Sequence, residues 1–423
     1  MSNALKGKLG SLVTAGGGKI HTGPFGSQLH ASDYVPQGIP CIMPANMKNN
    51  RVDLSKIAFI TEADAQRLSK YIVKKNDIVY SRRGDVTQKA LIRKSEEGYF
   101  CGTGCLLLRP GKKFDARFLT YYLSTREIQS WIVSQAVGAT MPNLNTGILS
   151  SIPFHGPEKP EQEMAANVLS AIEDKIELNN RISAELEAMA KTLYDYWFVQ
   201  FDFPNANGKP YKTSGGKMVY SPTLKREIPE GWEAGNILNV AHLLGGGTPT
   251  KTKPEYWNGT IPFFTPSDSD NNIYSVSTED YITDEGLQNS STRLFEPHTV
   301  FITARGSVGR LALNSVPMAM NQSCYALKAK NGISYTFLFF LTKELIHHLE
   351  VKSSGSVFNS IVSSDIEYTN LALPSERTVI EEFSALAEPI FEKIEASTKE
   401  NRQLSVLRDW LLPMLMNGQV TVK

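Results

Sequence analysis

Asp77-Ile-Val-Tyr-Ser-Arg-Arg-Gly-Asp-Val86 returns 222 residues later as Thr299-Val-Phe-Ile-Thr-Ala-Arg-Gly-Ser-Val308, and this recurrence decides how the chain is built. Similarity at a fixed offset constrains an architecture before any fold is considered. Working outward, Ile39-Pro40 returns as Ile261-Pro262 at the same offset. Cys105-Leu-Leu-Leu-Arg109 matches Cys324-Tyr-Ala-Leu-Lys328, and Phe118-Leu119 matches Phe337-Leu338, both at 219. Gly138 and Pro157 match Gly355 and Pro374 at 217. Such a drift is what insertions and deletions in surface loops leave behind. The 423 residues therefore hold two copies of one unit, in line with a length well beyond one usual domain.

Each copy opens with short β-type runs, such as 77–81 and 299–303, broken by Gly and Pro turns. An aromatic-rich apolar helix follows, at 114–124 and 335–343. Each globular part is thus mixed α/β. It closes at Ser151-Ile-Pro-Phe-His-Gly-Pro157 in one copy and Thr369-Asn-Leu-Ala-Leu-Pro374 in the other, after which turn residues vanish and helical periodicity begins. The expected division is a recognition-type domain over 1–157, a helix over 158–200, a linker with turns over 201–230, a second domain over 231–374 and a second helix over 375–423. Just before the linker lies an aromatic cluster of Tyr194, Tyr196, Trp197, Phe198, Phe201 and Phe203. It suits helix-end packing better than a stacking platform.

In the first long helix, Ile172, Asn179, Ile182, Leu186, Met189, Leu193 and Tyr196 follow three- and four-residue steps, with one seven-residue gap at Lys175. That is a heptad seam. The second reads Phe383, Leu386, Ile390, Ile394, Asn401, Leu404, Leu407 and Leu411, again with an Asn in mid-seam, where a buried Asn would fix register at a cost in stability. Capping its own domain is the simpler use of either helix. Similar lengths and matching Asn residues favour mutual packing. Pro389 and Pro413 are expected to kink or end the second helix.

The net charge of +1 conceals an asymmetry: residues 1–155 carry +10, 156–200 carry −5, 231–374 carry −4 and 375–423 carry −2. The first globular part has the charge of a polyanion binder; the second does not. No apolar run is long enough to span a bilayer, and residues 1–8 lack a signal-type apolar segment, so a cytoplasmic location is expected. Cys41, Cys101, Cys105 and Cys324 do not form a disulfide framework. They read as buried small hydrophobes, and no zinc-type ligand pattern, hence no metal, is expected.

A search for catalytic constellations gives nothing positive. Gly245-Gly-Gly-Thr-Pro-Thr-Lys-Thr252 is near a phosphate loop, but Thr250 replaces the required Gly and Pro249 removes a backbone donor. No zinc-protease helix motif, nucleophile elbow or amino-methyltransferase tetrapeptide occurs, and the seven histidines are scattered. The chain is read as non-catalytic. Loop Arg, Lys, Asn and Gln are the groups that reach bases and phosphates. The first candidates are Arg82, Arg83 and Lys89, with Thr303, Arg305, Ser307 and Arg310 as their counterparts, although an Arg-Gly turn can also be purely structural. Next come the Gly-rich openings, with Ser27 and Gln28 in one copy and Thr248, Lys251 and Lys253 in the other. Third are Asn46, Lys48, Asn49 and Arg51, in a loop unmatched between copies.

Four stretches together resemble the specificity subunit of type I restriction-modification systems, over nearly the whole chain. Gly246-Gly-Thr-Pro-Thr-Lys-Thr-Lys-Pro-Glu-Tyr-Trp-Asn-Gly-Thr-Ile-Pro262 is similar to the opening of a target recognition domain in that family, and Gly23-Pro-Phe-Gly-Ser-Gln-Leu29 to another version of it. Lys159-Pro-Glu-Gln-Glu163, running into Ile172-Glu-Asp-Lys-Ile-Glu-Leu-Asn-Asn-Arg181, is similar to the central conserved helix. Leu407-Arg-Asp-Trp-Leu-Leu-Pro-Met-Leu-Met-Asn-Gly418 is similar to the C-terminal tail. The resemblance implies an α+β fold of two tandem mixed α/β target recognition domains, separated by two long conserved helices packed as an antiparallel coiled coil with pseudo-twofold symmetry. It implies double-stranded DNA as a partner, each domain reading half of a split site about one helical turn from the other. It also implies two methyltransferase subunits carrying S-adenosylmethionine, and restriction subunits using ATP and Mg, with no cofactor on this chain. In the second helix the expected Pro-x-x-Glu-Gln lead-in is replaced by Pro374-Ser-Glu-Arg-Thr-Val-Ile380, and Pro389 stands near the position of Lys175. The alternatives are the address subunit of another defence or methylation-only system, and a two-domain protein-binding scaffold.

Overall fold

The computed structural model describes residues 4–136, 142–269, 272–352, 360–420 and 422. The repeat match of Gly138 with Gly355 lies outside them. The chain forms two compact units, Met1–Asp174 with Leu404–Lys423, and Lys175–Gln403. Each takes one globular domain together with one end of both long helices.

The domains share the strand order of their central sheets. In the first, an antiparallel sheet runs Lys19–Thr22, Cys105–Arg109, Ile78–Ser81, Lys89–Leu91; in the second, Ala241–Gly245, Cys324–Ala329, Val300–Thr303, Leu311–Asn314, with Tyr274–Ser275 added at the edge. Each also holds a small sheet with one parallel pair, Ile39–Ile42 beside Phe100–Cys101 and Trp257–Phe264 beside Ala319–Met320. Each closes on itself: Leu5–Lys8 pairs with Pro153–Gly156, and Trp232–Gly235 with Leu371–Pro374. The central strands Ile78–Ser81 and Val300–Thr303 are buried at every position, as uninterrupted apolar runs demand. All four cysteines are buried and free.

Residues 201–230 are more than a linker with turns. Phe203 stacks on Trp232 with ring centres 5.4 Å apart, Phe201 meets the same indole edge-on, and Met218–Ser221 pairs with Arg226–Pro229 in a hairpin. Tyr194, Trp197 and Phe198 are buried in the same core, which makes this aromatic cluster helix-end packing. Tyr196 stays exposed.

The helices Lys159–Tyr194 and Thr378–Met416 run 36 and 39 residues. Within the second unit they are antiparallel: Asn179 meets Asn401, while Tyr194 and Trp197 meet Phe383. Asn179, fully buried, donates to Asn401 Oδ1 at 2.9 Å and to Glu400 at 2.7 Å. Of the kink or end expected at Pro389 and Pro413, the end does not occur: the helix runs through both, which lie on the exposed face, where water can serve the carbonyls they leave free. The seam also runs differently. Ile172, Asn179 and Ile394 are buried, and Leu186, Leu193, Ile390, Asn401, Leu404 and Leu411 are half-buried, but Ile182, Met189, Leu386 and Leu407 face solvent. Ser183 and Ala190, and Ala387 and Ser397, take the inward positions instead. Small side chains there let the helices approach closely, and they carry little hydrophobic signal.

Candidate nucleic-acid interface

In the first unit the Arg-Gly turn is built where the buried strand Ile78–Ser81 leaves the core. Ser81 Oγ donates to the Arg83 carbonyl at 2.8 Å, and Gly84 takes φ +76°, a left-handed conformation that favours glycine. The Arg82 N–H donates to the Gly104 carbonyl, and the Arg82 carbonyl accepts from Leu144 N–H. The second unit repeats this frame at the offsets of the repeat. Ala304 N–H donates to Ser323, its carbonyl accepts from Ile361, and Gly306 has φ +84°.

The Gly-rich opening lies against this turn. Gly23 passes so close to the strand end that a Cβ would sit 2.4 Å from the Gly102 carbonyl oxygen; at Gly246 it would sit 2.2 Å from that of Asn321. Only glycine fits either place. The loop then presents Phe25, 52% exposed, with the Arg82 guanidinium 5.6 Å from its ring centre. Arg82 Nε also donates to Asn143 Oδ1 at 3.4 Å. Neither Phe25 nor Asn143 is among the sequence candidates. An exposed aromatic within a glycine loop was the available signal for the first, and nothing in the sequence marks the second.

Ser27 and Arg83 are exposed beside this cluster. Gln28 is spent on the loop itself, its Oε1 accepting from Phe25 N–H and the Tyr71 hydroxyl, while Arg67 holds its carbonyl. Lys48 and Asn49 are exposed on the neighbouring turn, Lys48 paired with Asp53 at 2.7 Å. Arg51 turns toward Asp174 at 3.4 Å.

In the second unit Arg305 and Lys251 are exposed, and Lys253 donates to the Tyr256 hydroxyl at 2.9 Å. The Thr248 hydroxyl donates to Gln322 Oε1, which ties the opening loop to the exposed Gln322, another residue missed in the sequence. Ser307 is half-buried, its carbonyl accepting from the Thr303 hydroxyl. Arg310 reaches back to the Ser269 carbonyl at 2.8 Å.

Three candidates are corrected as groups open to a ligand. Asn46 is buried and closes its own turn, accepting from Met43 N–H and donating to the Asp53 carbonyl. Thr303 is buried, and its hydroxyl accepts from Arg310 N–H. Lys89 is 2% exposed, and burial pushes its amine down to about 7, with Asp85 opposing in part. Among the described residues no cluster of His, Cys, Asp and Glu is suited to a metal ion, and no helix is long and apolar enough to cross a membrane.

Two like domains, each presenting polar and cationic loops from one shared frame, joined through paired helices, define a duplicated recognition module. The chain belongs to the family described as type I restriction modification DNA specificity domain, which matches residues 8–188 and again 229–400. It is similar to the type I restriction enzyme HindI specificity subunit of Haemophilus influenzae, 23% identical, with 90% of this chain and 94% of that one covered. It is also similar to the MjaIX specificity subunit of Methanocaldococcus jannaschii, 25% identical, with 92% and 89% covered. The crystal structure of a type I restriction-modification S subunit from M. genitalium shares the fold over 98% of this chain and 96% of that one, with a TM-score of 0.59 at 17% identity.

Proposed function

We propose that this chain is the DNA-address subunit of a type I restriction-modification assembly, each domain reading one half of a split site and neither performing chemistry. The observation that carries this is the Arg-Gly turn: one backbone frame, built twice at the repeat's offsets, presenting different side chains. A pair of readers for two different half-sites needs that combination. The exposed loop residues Ser27, Lys48, Asn49, Arg83, Lys251 and Arg305, with the half-buried Arg82 and Thr248, form the DNA-facing set. Arg51, Lys253, Ser307 and Arg310 bear on it as supports held by other groups.

The helices dock methyltransferase subunits, which carry S-adenosylmethionine; restriction subunits using ATP and Mg join that assembly. A second apolar stripe supports the docking role. Leu178, Ile182 and Met189 on the first long helix, and Tyr196 on the π-helical turn that continues it, follow helical spacing and all face solvent, Met189 at 60% exposure. Co-production with the cognate methyltransferase subunit, followed by mapping of modified bases on a random DNA library, tests both parts. A split modified site is expected. Absence of sequence preference together with absence of DNA affinity at low salt refutes the reading. Met189→Asp is expected to leave the chain folded and to remove co-purification of the methyltransferase subunit.

A further inference from the structure

The two copies differ in side chains where their backbones make equivalent hydrogen bonds. Around the Arg-Gly turn the first unit carries Phe25, Arg82 and Asn143; the second carries Thr248, Ala304 and Gln322, with Thr103 in the first at the position of Gln322. We propose that Arg82 reads a guanine in one half-site and that Gln322 reads an adenine in the other. This rests on the DNA-reading role argued above, and it names the base each reader selects.

Arg82 is set up as a two-pronged donor. Its Nε is engaged by Asn143 and one face of its guanidinium by the Phe25 ring. The two terminal amino groups carry no hydrogen bond among the described residues. A planar pair of donors matches O6 and N7 of guanine in the major groove. Gln322 is set up differently. Its Oε1 accepts the Thr248 hydroxyl proton. One remaining lone pair and the Nε2 amino group then offer an acceptor beside a donor, the pattern that matches N6 and N7 of adenine. Neither unit can read the other's base this way, because Ala304 and Thr103 lack the required groups. Phe25 and Thr248 are positioning residues: they act through the side chain they hold.

The test is selection of bound duplexes from a random library by the full chain in its methyltransferase complex, for wild type and variants whose thermal unfolding midpoints are unchanged. Arg82→Ala should relax preference at a single G·C pair in one half only, by roughly 5- to 150-fold. Gln322→Ala should do the same at a single A·T pair in the other half. Phe25→Ala should weaken preference at the Arg82 position alone, and Phe25→Tyr, which keeps the ring face, should restore it. Should Arg82→Ala fail to fold, Arg82→Lys replaces the fork with a point donor and should blunt the same position. A split wild-type site whose positions are all unmoved by these variants, or relaxed equally in both halves, overturns the assignment and leaves the reading of the domains standing. A wild type that selects no split site removes both.

Discussion

Replacing Lys89 by Met should stabilise the protein at neutral pH and remove part of its pH dependence. Lys89 begins a strand whose partner residue is Tyr80, and its ammonium lies 5.7 Å from that ring centre. It lines a polar cavity of about 260 Å³ with Asn49, Gln88, Tyr121 and Glu173 among others. Burial lowers its amine from the usual 10.5 to about 7, whereas the unfolded chain keeps the ordinary value. Between these values the unfolded state holds one proton more than the folded state, so this residue's contribution to stability rises with pH, at up to about 1.4 kcal/mol per pH unit. Below pH 7 both states are protonated, and the contribution is flat at its least favourable level. From pH 7 to 9, wild type should therefore gain about 2 kcal/mol relative to Lys89→Met, since the folded group is half-titrated at the lower limit. Urea unfolding of both proteins at each pH reads this directly, shared contributions cancelling in the difference. A difference independent of pH would refute the burial argument. Because Lys89 is enclosed, the substitution should also leave duplex affinity unchanged.

Three further outcomes are expected. Neutralising Arg82 and Arg83 together should weaken duplex binding more than neutralising Arg305 and Arg310, because Arg310 is already held by the Ser269 carbonyl. Titration at several salt concentrations should show the slope fall by about one for the first pair, with Arg83 on a phosphate and Arg82 on a base, and the reverse order of the two pairs would refute this ranking. Gly23→Ala should cost about 1–3 kcal/mol in thermal or denaturant unfolding, since its Cβ would meet the Gly102 carbonyl oxygen at 2.4 Å; a neutral effect would show that the opening loop can move away. Asn401→Ala should cost about 1–3 kcal/mol by leaving Asn179 short of a partner, while Asn179→Leu with Asn401→Leu should be near neutral in stability. Equal losses in the single and double variants would mean that the pair acts only by packing.

The repeat was legible because the same contacts recur in both copies: an apolar strand, an Arg-Gly turn and a glycine that must clear a carbonyl leave similar residues at similar offsets. Which polar residues face outward was not. Asn46 and Thr303 are loop-type residues by composition, yet each spends its side chain closing its own turn. Lys89 follows an exposed turn by only a few positions, and the strand pairing that encloses it is made with residues on another strand. Residues 201–230 read as a linker with turns because Gly and Pro punctuate them, whereas Phe201 and Phe203 meet Trp232, which lies beyond the segment.

The seam misassignment has a physical cause that bears on function. Ile182, Met189 and Tyr196 lie one position before Ser183, Ala190 and Trp197, so the heptad spacing is right and only the register of the face is displaced. A helix that buries one stripe against its partner needs apolar residues at two heptad positions. This helix carries them at more, and it places Ser183 and Ala190 inward. Reading all large apolar side chains as one seam then mixes the outward Ile182 and Met189 with the inward Ile172, Leu186 and Leu193. Holding Ile182 and Met189 in water brings no stability to the chain by itself. Their regular spacing is therefore better explained by a second packing partner, as the docking role proposed for this helix requires, than by the fold.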